Sequence, residues 1–329
     1  MGVRDLRPNH PIPTPDCSRR ITRREWARLL TGAALFAAAR SKAHAAGLSW
    51  DTPARGGPGA ERRYRVDAQV VLFSVPLLRR SGVGAGTVAW RESSGDDGTT
   101  RVLEFAAYSL PDRAGGLNRL GFIQERIRLA EAGMTEAIYF GLMTASAEES
   151  AEEARRALHS TASQVAYTAV DAHIQSHSME TATAHFTAPS ALSAGHRPQL
   201  EQMARQALAV APRKSVGLAP DSGAPPPFLE AMAELLRQPK GGESRYIYNG
   251  RLYRLRLRRA ADPKASEYFR NRGLTSGPVI AVTGALQRAS GGKPIDFRLW
   301  MEESAAQPIP LRIEYQPKSY LRLAFEAEA

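Results

Sequence analysis

Cysteine is the scarcest residue in this 329-residue chain: there is one, Cys17. A single thiol excludes an internal disulfide. Its place ahead of an arginine-rich stretch leaves the rest of the chain without a cysteine metal centre or thiolate nucleophile. Long apolar runs are also missing. The longest early one, "LLTGAALFAAA" from Leu29 to Ala39, falls short of the roughly 20 residues a membrane-spanning helix needs, so no integral helical membrane protein is expected. There is no Gly-x-Ser-x-Gly, no His-Glu-x-x-His and no P-loop, which removes the commonest signatures of hydrolases and nucleotide-binding enzymes. "SGGKP" (290–294) carries Ser290-x-x-Lys293, but Pro294 and two glycines make it a hairpin loop. "SGVGAGTVAW" (81–90) lacks dinucleotide-binding spacing and leads into a strand, so its glycines point to a bulge or a close backbone approach.

The high net charge is equally thin on inspection. The formal +11 comes from 44 basic and 33 acidic residues, but residues 1–45 hold nine of the bases and three of the acids, leaving 35 against 30. That balance is ordinary for a soluble surface, and no nucleic-acid partner is expected. Residues 1–45 read instead as a twin-arginine export signal. Thr22-Arg23-Arg24-Glu25-Trp26-Ala27-Arg28 supplies the motif, the apolar run comes next, and Ala43-His44-Ala45 is a small-x-small cleavage site. The expectation is a periplasmic or secreted protein that reaches its place already folded.

Beyond the signal, residues 46–190 alternate as strands, interrupted by an expected helix at 147–159 whose acids crowd the first turns and bases the last. "GLNRLGFIQERIRLAEAG" (116–133) suits helix and strand patterns alike and is read as strand. Residues 191–243 form a helical and Pro-rich connector, with helices at 198–210 and 228–238 and a loop at 211–227. From 244 to 329 strand and turn run throughout, as an antiparallel meander continuing the same sheet.

"YIYNGRLYRLRLRR" (246–259) is the clearest local signal. Asn249-Gly250 suits a two-residue type I′ turn, which sets Tyr248 opposite Arg251, Ile247 opposite Leu252 and Tyr246 opposite Tyr253. One face then carries Tyr246, Tyr248, Tyr253, Leu255 and Leu257. The other carries Arg245, Arg254, Arg256 and Arg258, which are expected to meet carboxylates of neighbouring strands. "DFRLWM", "LRIEYQ" and "YLRLAF" repeat this two-sidedness. The fold class is α+β, mainly antiparallel β: a large curved sheet, half-barrel or open-barrel-like, with a few packed helices.

These same segments resemble the C-terminal part of an uncharacterised family of exported bacterial antiparallel β-sheet proteins, a domain of unknown function. The resemblance covers residues 225–327 and rests on Asn249-Gly250, Tyr253, Trp300, Pro310, Arg312 and Ile313; the alanine-rich middle (144–224) departs from it. It implies an envelope location and a curved sheet, and it supplies no catalytic residues.

Chemistry-bearing residues are sparse. His173 and His177, near Asp171, Glu180 and His185, are the densest metal-ligand candidates; on a strand the two histidines would stand about 13 Å apart, too far for one ion. No cofactor is expected. Candidate ligand-binding residues are Asn118, Arg119 and Gln124 in a polar, glycine-flanked stretch, with Tyr253, Arg254, Arg256 and Trp300 on the meander. The leading expectation is a non-enzymatic binding or envelope-maintenance protein whose sheet houses a hydrophobic or lipid-like small molecule. A metal-dependent hydrolase built on His173 and His177, or a structural partner of another envelope protein, are the alternatives.

Overall fold

A computed structural model describes residues 48–50, 59–72, 75–95, 98–131, 133–145, 161, 163–175, 178–192, 194–218, 224–249, 251–318 and 321–329. The expected export signal, the helix at 147–159 and His177 lie outside the described residues. The unit Leu48–Ala329 is built on one sheet.

Its strands are β1 (Gly59–Leu72), β2 (Val75–Gly95), β3 (Gly98–Ser109), β4 (Leu120–Ala130), β5 (Gly133–Thr144), β6 (Gln164–Gln175), β7 (Ser178–Pro189), β8 (Arg213–Gly217), β9 (Gly241–Tyr248), β10 (Arg251–Ala261), β11 (Val279–Arg288), β12 (Ile295–Glu302), β13 (Arg312–Lys318) and β14 (Leu321–Ala327). Three described α-helices join them: α1 (Arg197–Ala209), α2 (Phe228–Arg237) and α3 (Pro263–Asn271). Spatial order runs from β8 down to β1, then from β14 down to β9, so pairing of β1 with β14 welds two antiparallel meanders into one open sheet. This is the expected architecture: a large, curved, mainly antiparallel sheet.

The hairpin at Asn249-Gly250 has the expected register, with Tyr248 opposite Arg251 and Tyr246 opposite Tyr253. Asn249 takes φ 49°, the left-handed region a type I′ turn demands. The turn then tucks against a distant strand: the Tyr139 hydroxyl on β5 donates to Asn249 Oδ1 at 2.9 Å. That contact across 110 residues records how far the sheet curls.

Each strand divides its side chains between two cores. On β4, Leu120 and Phe122 join Phe140, Leu142 and Tyr167 beneath α1, which contributes Leu200, Ala204 and Leu208. Ile123 and Ile127 face the opposite, concave side with Trp90, Leu103 and Tyr139. Strict alternation makes the split unavoidable once both faces are covered. The concave lining continues through Leu255, Leu257, Val282, Leu299 and Met301, where α2 packs with Ala231, Leu235 and Leu236. Two glycines permit close approaches. A methyl group at Gly84 would stand 2.3 Å from the Tyr108 carbonyl oxygen, and one at Gly284 would stand 2.0 Å from the Phe297 ring. The stretch "SGVGAGTVAW" does lie in a strand, with a register shift opposite Val66 and Ala68.

Two segments differ from expectation. Arg213–Gly217, placed in a loop, is the edge strand β8, all five residues exposed; it pairs with β7 through backbone alone, so no apolar alternation marks it. Residues 263–271, placed in continuous strand, form α3. Asp262 caps it by accepting from the Ala265 amide at 3.0 Å, and Pro263 opens its first turn. Its Phe269 packs on Val279, Ala281, Trp300 and Leu311 on the convex face.

Candidate functional site

The concave side brings apolar surface, buried charge and solvent access together. Its centre is α2, a short helix held at both ends by the sheet. Glu125, fully buried on β4, accepts from the Leu229 amide at 2.7 Å and from the Glu230 amide at 2.9 Å. At the other end Arg259 of β10 donates to the carbonyls of Leu236 and Gln238, at 3.3 and 2.6 Å. A carboxyl that accepts from the free amides at the N-terminus and a cation that donates to the free carbonyls at the C-terminus satisfy both ends of the helix. Burial pushes the Glu125 carboxyl up to about 8, the two amide bonds pulling it the other way.

A second charge pair lies beside this cap. Arg101 of β3 and Glu230 of α2 form an ion pair with side-chain exposures of 7% and 0%. Arg101 also reaches Glu92 at 3.1 Å. Trp90 takes two guanidinium groups on its ring, Arg101 at 4.8 Å and Arg237 at 4.6 Å from the centroid. The pairing is incomplete: Arg101 Nε and Glu230 Oε2 have no hydrogen-bond partner among the described residues.

α2 does not cover the whole concave face. Phe105, Met232, Tyr253, Leu286, Ile313 and Leu323 all point inward, yet each is only half-buried. Tyr246 and Tyr253 stack there, with centroids 5.3 Å apart and planes at 19°. Solvent therefore reaches an aromatic and aliphatic groove between α2 and strands β11 to β14. The groove runs onto an apolar lip where Leu78, Val70 and Leu321 stand in one cross-strand row; Leu78 is 62% exposed and Val70 37%.

Of the residues nominated from sequence, Tyr253 alone faces this groove. Asn118 donates to the Ser190 carbonyl at 3.1 Å, Arg119 to the Ala145 carbonyl at 2.8 Å, and Gln124 to Glu104 at 2.8 Å. They tie convex-side loops and strands together. Arg254 and Arg256 are exposed on the convex face, Arg256 bonding Glu243 at 2.6 Å. Arg254 sits opposite Arg245. Arg256 with Glu243 and Arg312 with Glu326 follow the expected cross-strand pairing, whereas Arg298 meets the α3 cap Asp262 and Arg312 also reaches Glu314 on its own strand. Trp300 is buried beside α3, its Nε1 donating to Asp262 at 3.0 Å with Arg298 4.5 Å over its ring.

His173 lies on β6, paired with Glu136 at 2.6 Å, while Asp171 binds Arg213 through both oxygens at 3.1 and 3.0 Å. Among the described residues no group of three or more His, Cys, Asp or Glu side chains is placed to hold a metal ion.

Of the two buried glutamates that organise the concave side, only Glu125 falls in a stretch the sequence marks out, the polar run 115–125. Glu230 sits in a segment that looks like ordinary amphipathic pattern. The available signal was parity: Glu125 shares its strand face with Ile123 and Ile127, where a carboxylate must be partnered.

No protein-family model matches this chain, and no curated protein matches it. Among solved structures it is similar to the crystal structure of a β-barrel-like protein of domain of unknown function DUF1849 from Brucella abortus, at 10% identity and a TM-score of 0.45, over 83% of this chain and 97% of that one.

Proposed function

We propose that this protein is a non-enzymatic binding protein of the cell envelope, exported by the twin-arginine route, whose concave groove holds a hydrophobic, lipid-like ligand. The observation that carries the reading is the set of inward-facing but half-buried side chains beside α2. Contiguous inward apolar groups with solvent access are what a pre-formed hydrophobic site consists of. The motif Thr22–Arg28, the apolar run and Ala43-His44-Ala45 support export.

A neutral fluorescent probe, N-phenylnaphthylamine, tests the groove. Its emission should rise saturably on adding the protein. Leu323→Glu, which sets a charge beside Ala68 and Tyr315 in its cross-strand row, should weaken that binding by about tenfold or more, about 1.4 kcal/mol. Arg254→Glu on the convex face should leave it unchanged. A linear, non-saturating response, or equal binding by Leu323→Glu, would remove the proposal.

A further inference from the structure

We infer that the groove takes an amphiphile with an anionic head group, that Arg251 and Arg288 receive that head, and that Arg80, five strands from Arg288 at the same end of the sheet, adds to the positive field there. This rests on the hydrophobic-groove reading and names the chemistry of its ligand. Strand register places the three arginines. Arg251 pairs with Tyr248, and Arg288 with Tyr253. Directly paired residues share a face, so these two arginines stand on the tyrosine side of the sheet, at the end where β10 begins and β11 finishes. They are diagonal neighbours, two residues apart along the ladder. Arg80 pairs with Ala68, which pairs in turn with Leu323, placing Arg80 on the concave side beside the Leu78–Val70–Leu321 lip.

All three arginines are exposed, and none has an acidic partner among the described residues. The convex face mixes the two kinds. There Arg256, Arg298 and Arg312 each meet a carboxylate. Arg245, Arg254 and Arg258 are exposed there without an acidic partner among the described residues, but they have no apolar groove beside them. At the groove end the cations stand beside half-buried Tyr253, Leu286 and Leu323, with apolar surface inward and unneutralised positive charge at the rim. A molecule that satisfies both has an aliphatic chain and a negatively charged end, such as a fatty-acid carboxylate. A planar guanidinium binds a carboxylate in two-point fashion and is weakly hydrated, which suits a rim half in water. The occupant enters beside α2, since α2 remains anchored by Glu125 and Arg259 at its two ends.

Decanoate and decanol separate the head group from the chain. Each is titrated against the bound naphthylamine probe in wild-type protein, in Arg251→Glu/Arg288→Glu, and in Arg80→Glu as an independent variant on a different strand. Expected for the double variant is a loss of decanoate affinity of about tenfold or more, with decanol within about twofold of wild type. Added salt should weaken decanoate binding to wild type and not to the double variant. Arg80→Glu should shift decanoate in the same direction. If decanol displaces the probe and decanoate binds both charge-reversal variants as it binds wild type, the head-group assignment is wrong and the hydrophobic groove stands. If neither compound displaces the probe, both fall.

Discussion

Replacing Glu230 with alanine is expected to cost about 3–5 kcal/mol of stability, the range for stripping one partner from a buried ion pair. Glu230 has no exposed side-chain surface and Arg101 only 7%, so the arginine left behind cannot turn to water. Its contact with Glu92 at 3.1 Å places the loss nearer the lower end. The companion double variant decides the cause. Arg101→Met with Glu230→Leu removes both charges and fills the space, and should lie within about 1 kcal/mol of wild type or above it, because two desolvation penalties disappear with one attraction. Urea denaturation of wild type, Arg101→Met, Glu230→Leu and the double variant gives the coupling directly. A loss below about 1 kcal/mol in Glu230→Ala would mean that α2 is not seated against β3. Hydrogen exchange adds a local reading: the amides of α2 should lose protection in Glu230→Ala before the rest of the sheet does, since this pair and the Glu125 cap are what fasten the helix to β3 and β4.

How much of this fold and groove is legible in the sequence depends on where each signal resides. The β9–β10 hairpin is readable because its information is local: Asn249-Gly250 dictates the turn, and alternation dictates the faces. The same local rule assigns Arg254 and Arg256 to the face away from Tyr253, so their candidacy as partners of that tyrosine conflicts with the alternation itself. Arg251, opposite Tyr248, is the arginine on the tyrosine side. α3 carries a readable start in Asp262-Pro263, overshadowed by the strands around it. β8 has no such mark, since an edge strand exposed at every residue needs only backbone hydrogen bonds. The placement of α2 is not local information at all. "FLEAMAELLRQ" declares an amphipathic helix, but its burial against both β3–β4 and β9–β10 depends on how far the sheet curls. That curl is set by packing between residues more than a hundred positions apart, Tyr139 with Asn249 and Arg101 with Glu230 among them.

Stability should fall as pH rises from about 4.5 to about 8, and Glu125 is the group that makes it do so. In the unfolded chain a glutamate releases its proton near 4.5, whereas burial pushes this folded carboxyl up to about 8. Between those values the folded protein keeps a proton that the unfolded chain has lost. The contribution is therefore complete below 4.5, declines through the window and is gone above 8, with a slope of at most about 1.4 kcal/mol per pH unit for one proton. Asp67 and Asp262 act in the opposite sense, but their carboxyls are held below the ordinary aspartate value of 3.8, so their windows lie at more acid pH. Glu201 and Glu234 are raised by burial and share the sign, which makes a single wild-type profile ambiguous. Glu125→Gln resolves it. Glutamine keeps an oxygen for one of the two α2 amides and cannot ionise, so the difference in unfolding free energy between the two proteins should change across pH 5 to 8 in favour of the variant. A difference that stays flat would mean that the amides of Leu229 and Glu230 hold the carboxylate ionised throughout and outweigh its burial. The consequence reaches the groove, because Glu125 is the N-terminal anchor of α2. Where the folded carboxyl ionises in its apolar surroundings the cost is desolvation, so above pH 8 opening of α2 as a unit, read from exchange of its amides corrected for intrinsic pH dependence, should be easier in wild type and not in Glu125→Gln.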